Sequence, residues 1–166
     1  MTEAKPFWSS NTLEPLRKFR FQIQFGKEVM WWAKSVTQPS PDVSMGEYQL
    51  INHKIKYPGI VTWNDIDITM VEPDKTSGVG FGLINKLKGS GYYTEPTNGA
   101  DDGLKKNVFP GEDILIIKIA ADGEVVETWK LINPFIKSIK YSDLDYSSDD
   151  LVEVSITVAY DSATLT

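Results

Sequence analysis

The chain of 166 residues contains no cysteine and one histidine, His53. The absence of cysteine excludes disulfides, thiolate metal sites and cysteine nucleophiles, and it is compatible with a reducing compartment. A catalytic triad needs its histidine beside a nucleophile and an orienting acid, and nothing around His53 suggests either. We interpret His53 as an ordinary strand histidine, and we predict no enzyme activity, no catalytic residue, no cofactor and no metal site.

The sequence also lacks a long hydrophobic run. Its opening, MTEAKPFWSS, has no apolar stretch of the kind that forms a signal peptide, and no later segment approaches the length of a membrane span. We therefore expect the protein to be made in a cytoplasm.

Basic residues are the minority among the charged ones. Lys and Arg number 17 against 23 Asp and Glu, which gives a net charge of −6. An acidic chain is a poor candidate for gripping nucleic acid, because phosphate binding depends on Lys and Arg replacing counterions. The charge suits a surface past which nucleic acid slides without sticking. The more common explanation of such a charge is an ordinary acidic protein kept apart by self-repulsion.

The clearest pattern present is alternation of apolar and polar residues with period 2, which predicts half-buried β-strands. It is strict over residues 151–160 and over residues 17–25. The stretch 127–161 predicts a C-terminal β-hairpin, with a bend at Asn133-Pro134 and an acidic turn over 143–150.

Further extended segments are separated by turn residues and cover residues 28–37, 47–57, 60–71, 113–120 and 124–131. We expect the segment 28–37 to return antiparallel to the first strand, with one of Trp31 and Trp32 entering the core. The segment 77–87 is the one credible helix. The predicted fold is mainly β: an antiparallel sandwich or barrel of about seven or eight strands, with one flanking helix and long loops.

The length fits a single domain over residues 1–166. Residues 1–15 form a polar arm that carries Phe7 and Trp8, and residues 89–112 form a long glycine-containing loop. A structureless loop of this length is unusual in a compact domain, and it is either disordered or functional, for example an arm ordered by a partner.

Three patterns that resemble chemical sites have simpler interpretations. The glycines of 78–82 lack the spacing of a phosphate loop and are better explained by close packing at a helix start. Asp143, Asp145, Ser147 and Asp149 have the oxygen spacing of a calcium loop, but Ser148 stands where that loop needs glycine. A pair of carboxylates for glycoside hydrolysis has no sequence signature, because its defining feature is a distance in space.

The order of the elements resembles the tail tube proteins of contractile-tailed bacteriophages, whose superfamily includes the inner-tube proteins of bacterial contractile injection machines. The resemblance is carried by residues 17–25, 33–37 with Pro39, 52–59, Trp63, 66–70, 129–134, 143–147 and 151–161.

The resemblance implies a structural subunit of the virion tail. Six copies would form a ring whose strands join one inner barrel, and stacked rings would form a tube inside a contractile sheath. Baseplate or initiator proteins and terminator proteins would bind at the tube ends, and DNA would pass through without specific binding. No small-molecule substrate is implied. Among the polar strand positions we predict that Asp65 and Asp67 face the lumen.

Two alternatives remain open at this stage. Within the same superfamily, the chain could be an inner-tube, tube-end or baseplate protein of an injection system. From a different class, it could be a carbohydrate-binding β-sandwich module in which Trp31 or Trp32 stacks on a sugar.

Overall fold

The computed structural model describes residues 15–74, 78–90 and 113–166. Most of the predicted arm, with Phe7 and Trp8, lies outside these residues, and so does nearly all of the predicted loop. The described residues form eleven strands and one helix, which confirms a mainly β fold with a single helix. The strand count exceeds seven or eight because several predicted segments are divided by turns.

The elements follow the chain in this order: β1 (Phe21–Phe25), β2 (Glu28–Val29), β3 (Ala33–Val36), β4 (Pro41–Leu50), β5 (His53–Trp63), β6 (Ile66–Val71), α1 (Val79–Gly89), β7 (Ile114–Ile119), β8 (Val125–Ile132), β9 (Phe135–Tyr141), β10 (Glu153–Ala159) and β11 (Ser162–Leu165).

Two antiparallel sheets pack face to face around one core. The five-stranded sheet has the order β11-β8-β7-β1-β2, and the four-stranded sheet has the order β3-β6-β10-β9. The strands β4 and β5 pair only with each other and form a separate hairpin. The fully buried side chains of the core are Ile23, Ile66, Ile68, Met70, Ile114, Ile116, Leu131, Val154, Ile156 and Val158.

The predicted C-terminal hairpin is present. Strand β10 pairs antiparallel with β9, and its residues Val154, Ile156 and Val158 are buried as the alternation predicts. The chain bends at Asn133, whose φ of 52° is better tolerated by Asn than by most residues. This bend carries the chain from β8 in the five-stranded sheet to β9 in the four-stranded sheet.

The prediction that residues 28–37 return along the first strand is wrong beyond Val29. Only β2 pairs with β1, while β3 joins the other sheet and pairs with β6. The switch occurs at Trp31 and Trp32, and both side chains are exposed, at 79% and 46%. Neither enters the core, because each lies in the turn between two sheets.

The predictions for residues 47–57 and 60–71 also need correction. Residues 47–57 are two strands of one hairpin, which reverses at Ile51-Asn52, so His53 opens β5 beside a turn rather than lying in mid-strand. Strand β4 begins at Pro41, a strand position that needs no ladder donor. Residues 60–71 divide at Asn64-Asp65 into the end of β5 and the start of β6.

The helix occupies Val79–Gly89, two residues later than predicted. Leu83 points into the core, and Val79 packs against it, as the predicted apolar face requires. Lys86 and Lys88 lie in the last turn, where the helix dipole favours cations. None of the helical residues described forms a segment long and apolar enough to cross a membrane.

Candidate interaction surfaces

The glycines at the start of α1 serve packing. A Cβ on Gly78 would lie 2.0 Å from Glu72 Oε1, and one on Gly80 would lie 2.6 Å from the Tyr141 ring. The Gly80 N–H donates to Glu72 Oε1 at 3.2 Å, so a carboxylate of the same chain sits at the helix start. The packing interpretation is therefore confirmed for Gly78 and Gly80, whereas a Cβ on Gly82 would meet nothing within 4 Å.

The acidic turn between β9 and β10 is held by its own side chains. The Ser147 N–H and hydroxyl both donate to Asp145 Oδ1, at 2.9 and 2.8 Å, and the Asp150 N–H donates to Ser148 Oγ. The Ser147 N–H and then its hydroxyl lower the pKa of Asp145 below its ordinary value. In the described part of the chain, no group of three or more His, Asp or Glu is placed to hold a metal ion.

The outer face of the four-stranded sheet is polar. Thr157 Oγ1 donates to Asp67 Oδ1 at 2.6 Å, and Thr69 shares a hydrogen bond with Ser155 at 3.2 Å. These pairs lie on facing registers of β6 and β10. The alternate residues of β6 and β10 point to the opposite side of the sheet and are fully buried in the core. This sheet therefore has one buried face and one polar face that can contact water.

The two aspartates singled out by sequence both belong to this polar face. Lys137 Nζ donates to Asp65 Oδ2 at 2.5 Å, and the Asp65 hydrogen bond, the charge of Asp65 and then that of Asp67 raise the Lys137 pKa. Lys137 reaches Asp65 because it stands at a bulge, where β9 has one residue more than β10. Lys34 likewise pairs with Glu153 across the sheet.

The four-stranded sheet has an unpaired edge on each side. Its outer strands are β3 and β9, and no other described strand pairs with their outer sides. Such edges carry free backbone donors and acceptors and readily add a strand from another chain.

The β4–β5 hairpin projects from the sandwich with both faces open. One face near its tip carries the exposed apolar side chains of Tyr48, Leu50, Ile55 and Tyr57. The opposite face carries polar residues, including the ion pair of Glu47 with Lys54 at 3.2 Å. A two-stranded hairpin is marginal in water without a hydrophobic face covered by another element, so this apolar face calls for a partner.

The tip and the base of the hairpin differ in how they are held. At the tip, Ile51 has a φ of 50° and is 86% exposed, a conformation that disfavours a β-branched residue. At the base, Trp63 meets Trp129 edge-on, with ring centroids 6.5 Å apart, and lies 6.0 Å from the Tyr160 ring. The base is therefore packed and the tip is not.

Sequence reasoning missed the apolar face of the hairpin because it treated residues 47–57 as one strand. The two alternating pairs, Tyr48 with Leu50 and Ile55 with Tyr57, flank Asn52 and could have indicated a turn. It did identify polar positions on this face of the four-stranded sheet, both in residues 151–160 and at Asp65 and Asp67.

No protein-family model matches the sequence, and no curated protein sequence does. Solved structures match along nearly the whole chain. A chain of an extracellular contractile injection system, the PVC sheath-tube complex in its extended state, is 24% identical with a TM-score of 0.67, over 92% of this chain and 91% of that one.

Two further structures extend the comparison. The tube terminating cap of the anti-feeding prophage is 20% identical with a TM-score of 0.71, over 93% of this chain and 92% of the cap chain. The SPP1 tail tube is 13% identical with a TM-score of 0.52, over 92% of this chain and 79% of that one. The chain therefore has a tail-tube-like fold.

Proposed function

We propose that this protein is a structural, non-enzymatic tube subunit, whose copies join side by side into rings that stack in a phage tail or a contractile injection particle. The observation that carries the proposal is the four-stranded sheet, which combines a buried inner face, a polar outer face and two unpaired edges. A sheet built this way is complete only when neighbours cover its edges.

Side-by-side joining would place β3 of one copy beside β9 of the next. The resemblance to tail tube proteins supports six copies, which would close roughly 24 strands into one barrel wide enough for an aqueous channel. All strands of the sheet are antiparallel to their neighbours, so the same ladder geometry can continue from copy to copy.

The polar face would then line the lumen, with Asp65 and Asp67 on it. Lys34 and Lys137 on this face are paired with carboxylates, and Lys140, opposite Ser155, has no acidic partner among the described residues. Few free cations therefore remain to hold phosphate. Since DNA binding depends on cations that replace counterions, such a lumen would let a genome slide. In an injection particle the same lumen would conduct another cargo.

The hairpin would supply the contact between rings. Its apolar face is covered by nothing in the described chain, and burying Tyr48, Leu50 and Ile55 against a copy in the next ring would stabilise both the hairpin and the stack. A sheath protein outside the tube and baseplate, initiator and terminator proteins at its ends complete the proposed set of partners. The protein would thus reside in the tail of the particle.

The decisive experiment is negative-stain electron microscopy of the purified protein over a concentration series. Six-fold rings or hollow tubes are the expected result. A protein that stays monomeric, and that also fails to polymerise on a supplied baseplate, would overturn the proposal.

A matched pair of variants tests the role of the hairpin. Tyr48→Thr with Ile55→Thr removes one apolar cross-strand pair, while Glu47→Thr with Lys56→Thr changes the facing pair on the polar side. We expect the first variant to keep its fold by circular dichroism and to lose stacking. The second should stack like the unmodified protein.

The exposure of Trp31 and Trp32 supports a second candidate, a carbohydrate-binding module. Adjacent exposed indoles can stack on sugar rings. Glycan-array binding by the monomer, lost in Trp31→Ala, would favour this function, whereas ring formation without glycan binding would favour the tube subunit.

A further inference from the structure

A groove of about 780 Å³ opens beside β3, between the edge of the four-stranded sheet and the strands β1 and β7. Its lining includes Arg17, Lys18, Phe19, Arg20, Lys34 and Lys118. Five of these side chains are basic and none is acidic, although the chain as a whole carries more acids than bases.

The groove is basic at its walls and apolar at its floor. Phe21, Ala33 and Val36 pack against the core, and Phe19 stands 70% exposed on the wall. Two of the lysines are shared with neighbouring acids, since Lys34 pairs with Glu153 and Lys118 pairs with Glu127. A ligand that fits this groove needs both negative charge and apolar side chains.

Another surface of the same chain has the complementary character. The acidic loop, residues 142–152 between β9 and β10, carries Asp143, Asp145, Asp149 and Asp150 and no basic residue. It also presents three apolar side chains that are largely or fully exposed, Leu144, Tyr146 and Leu151. The bonds from Ser147 to Asp145 and within Ser148–Asp150 hold the loop in one turn, which lowers the entropy cost of docking.

The two surfaces lie at opposite sides of the four-stranded sheet. The groove adjoins β3, the first strand of the sheet order, and the acidic loop follows β9, the last. The loop therefore leaves the sheet at the end where Ala33 and Lys34 begin β3, because Ala33 and Tyr141 occupy the same register level through Met70 and Val154. Two different surfaces on opposite sides of a subunit make a head-to-tail contact, which forms a ring when the rotation between neighbouring copies closes.

We propose that the acidic loop of one copy docks in the basic groove beside β3 of the next copy in the ring. The proposal rests on the tube-subunit function and adds the lateral contact that sets the direction of assembly. Charge pairing fixes which edge meets which, since β3 against β3 would bring two basic grooves together and β9 against β9 two acidic loops.

Charge exchange tests this contact. Asp149→Lys and Lys18→Glu change exposed residues, so neither should disturb the fold. Each should raise the protein concentration needed for assembly by about tenfold. The two substitutions in one chain should restore assembly. Glu28→Lys changes an exposed residue that pairs with Phe25, at the end of β1 opposite the groove residue Phe21, and it lies outside the acidic loop. It makes the same charge change as Asp149→Lys and should leave assembly unaltered.

Because the chain has no cysteine, a cross-link can report the contact directly. A variant with Tyr146→Cys and Lys18→Cys should form a ladder of covalent oligomers under a mild oxidant, and neither single variant should form one. Unaltered assembly of Asp149→Lys, together with no ladder from a protein that still forms rings, would overturn the docking proposal and leave the tube function standing. Absence of rings as well as ladder would contradict both.

Assembly assays on further variants distinguish other possible occupants of the groove. If deletion of residues 1–14 changes assembly while the loop variants do not, the groove takes a segment of its own chain and the proposal is wrong. If Tyr146→Ala alone weakens assembly and the charge variants do not, the docking is apolar and the charge argument is wrong.

Discussion

Lys137 Nζ lies 2.5 Å from Asp65 Oδ2, although 72 positions separate the two residues in the chain. The hydrogen bond and charge of Asp65, followed by the charge of Asp67, hold the Lys137 pKa above its ordinary 10.5. Because the folded pKa is raised, the pair contributes stability below about pH 10.5, and this contribution is lost as the pH rises through the folded pKa.

The order of these contributions gives a first prediction. Asp65→Asn should bring the Lys137 pKa most of the way back to 10.5, and Asp67→Asn should lower it less. Titration of the Lys137 Cε resonance by NMR measures both. Equal shifts in the two variants would contradict the assigned geometry.

The second prediction concerns the base of the hairpin. Trp63→Ala removes the edge-on contact with Trp129 and should lower the free energy of unfolding by about 2 kcal/mol, since Trp63 is only partly buried. Hydrogen exchange should quicken along β4 and β5. Trp31→Ala, at an exposed position, should change the free energy of unfolding by no more than about 0.5 kcal/mol.

The third prediction concerns the tip. Ile51→Asn replaces a β-branched residue at φ 50° with one that accepts this conformation, so the monomer should gain about 1 kcal/mol in urea unfolding. If Ile51 is used against a neighbouring copy, the same variant should assemble less well. Ile60→Asn, which is also exposed but lies within β5, should give no such gain in stability.

A fourth prediction follows from Tyr160. Its hydroxyl is buried and approaches the Ser40 backbone without forming a well-made hydrogen bond, and burial raises the Tyr160 pKa above 10.0. Burial, and then the charge of Glu72, also raise the pKa of Tyr141. The two phenols therefore stay protonated to a higher pH in the folded state than in the unfolded state. The free energy of unfolding should fall as the pH rises above about 10.

Tyr160→Phe removes the poorly bonded hydroxyl and one of the two titrating phenols. We expect it to raise the free energy of unfolding at pH 7 by about 1 kcal/mol and to flatten the alkaline decline. Chemical denaturation at pH 7 and pH 11 measures both effects. A variant less stable than the parent at pH 7 would show that the hydroxyl is satisfied.

Local pattern predicted the strands that lie within one sheet. Strand β10 is an example, because burial on one face leaves period-2 alternation in the sequence. It predicted the bend at Asn133-Pro134, where the chain passes from β8 to the other sheet, but it failed at the earlier change of sheet between β2 and β3. The residues between Val29 and Ala33 do not show whether the chain stays in the sheet of β2 or passes to the other sheet. In both cases the segments before and after the turn are extended.

The hairpin was misinterpreted for a different reason. Its turn at Ile51-Asn52 has no glycine, and Pro58-Gly59, which reads as a strand end, lies inside β5. Pro58 is tolerated there because it faces Met45 beside a bulge, and the other side of β5 has no ladder partner among the described residues. Asp65 and Asp67 were identified as polar strand positions, but the bulge that brings Lys137 to Asp65 depends on register across distant segments.

The hairpin also acts as a lever. A strand of ten residues spans about 30 Å. A rotation of the hairpin by about 10° at Trp63 would therefore move Ile51 by roughly 5 Å, which exceeds the donor–acceptor distance of about 3 Å in a hydrogen bond. The packing of Trp63 against Trp129 and Tyr160 would therefore limit how far the hairpin can tilt, and with it the position of the tip. In a stack of repeated subunits the same small angle would recur at every level, and so the pitch and straightness of the assembly would depend on the packing of one tryptophan.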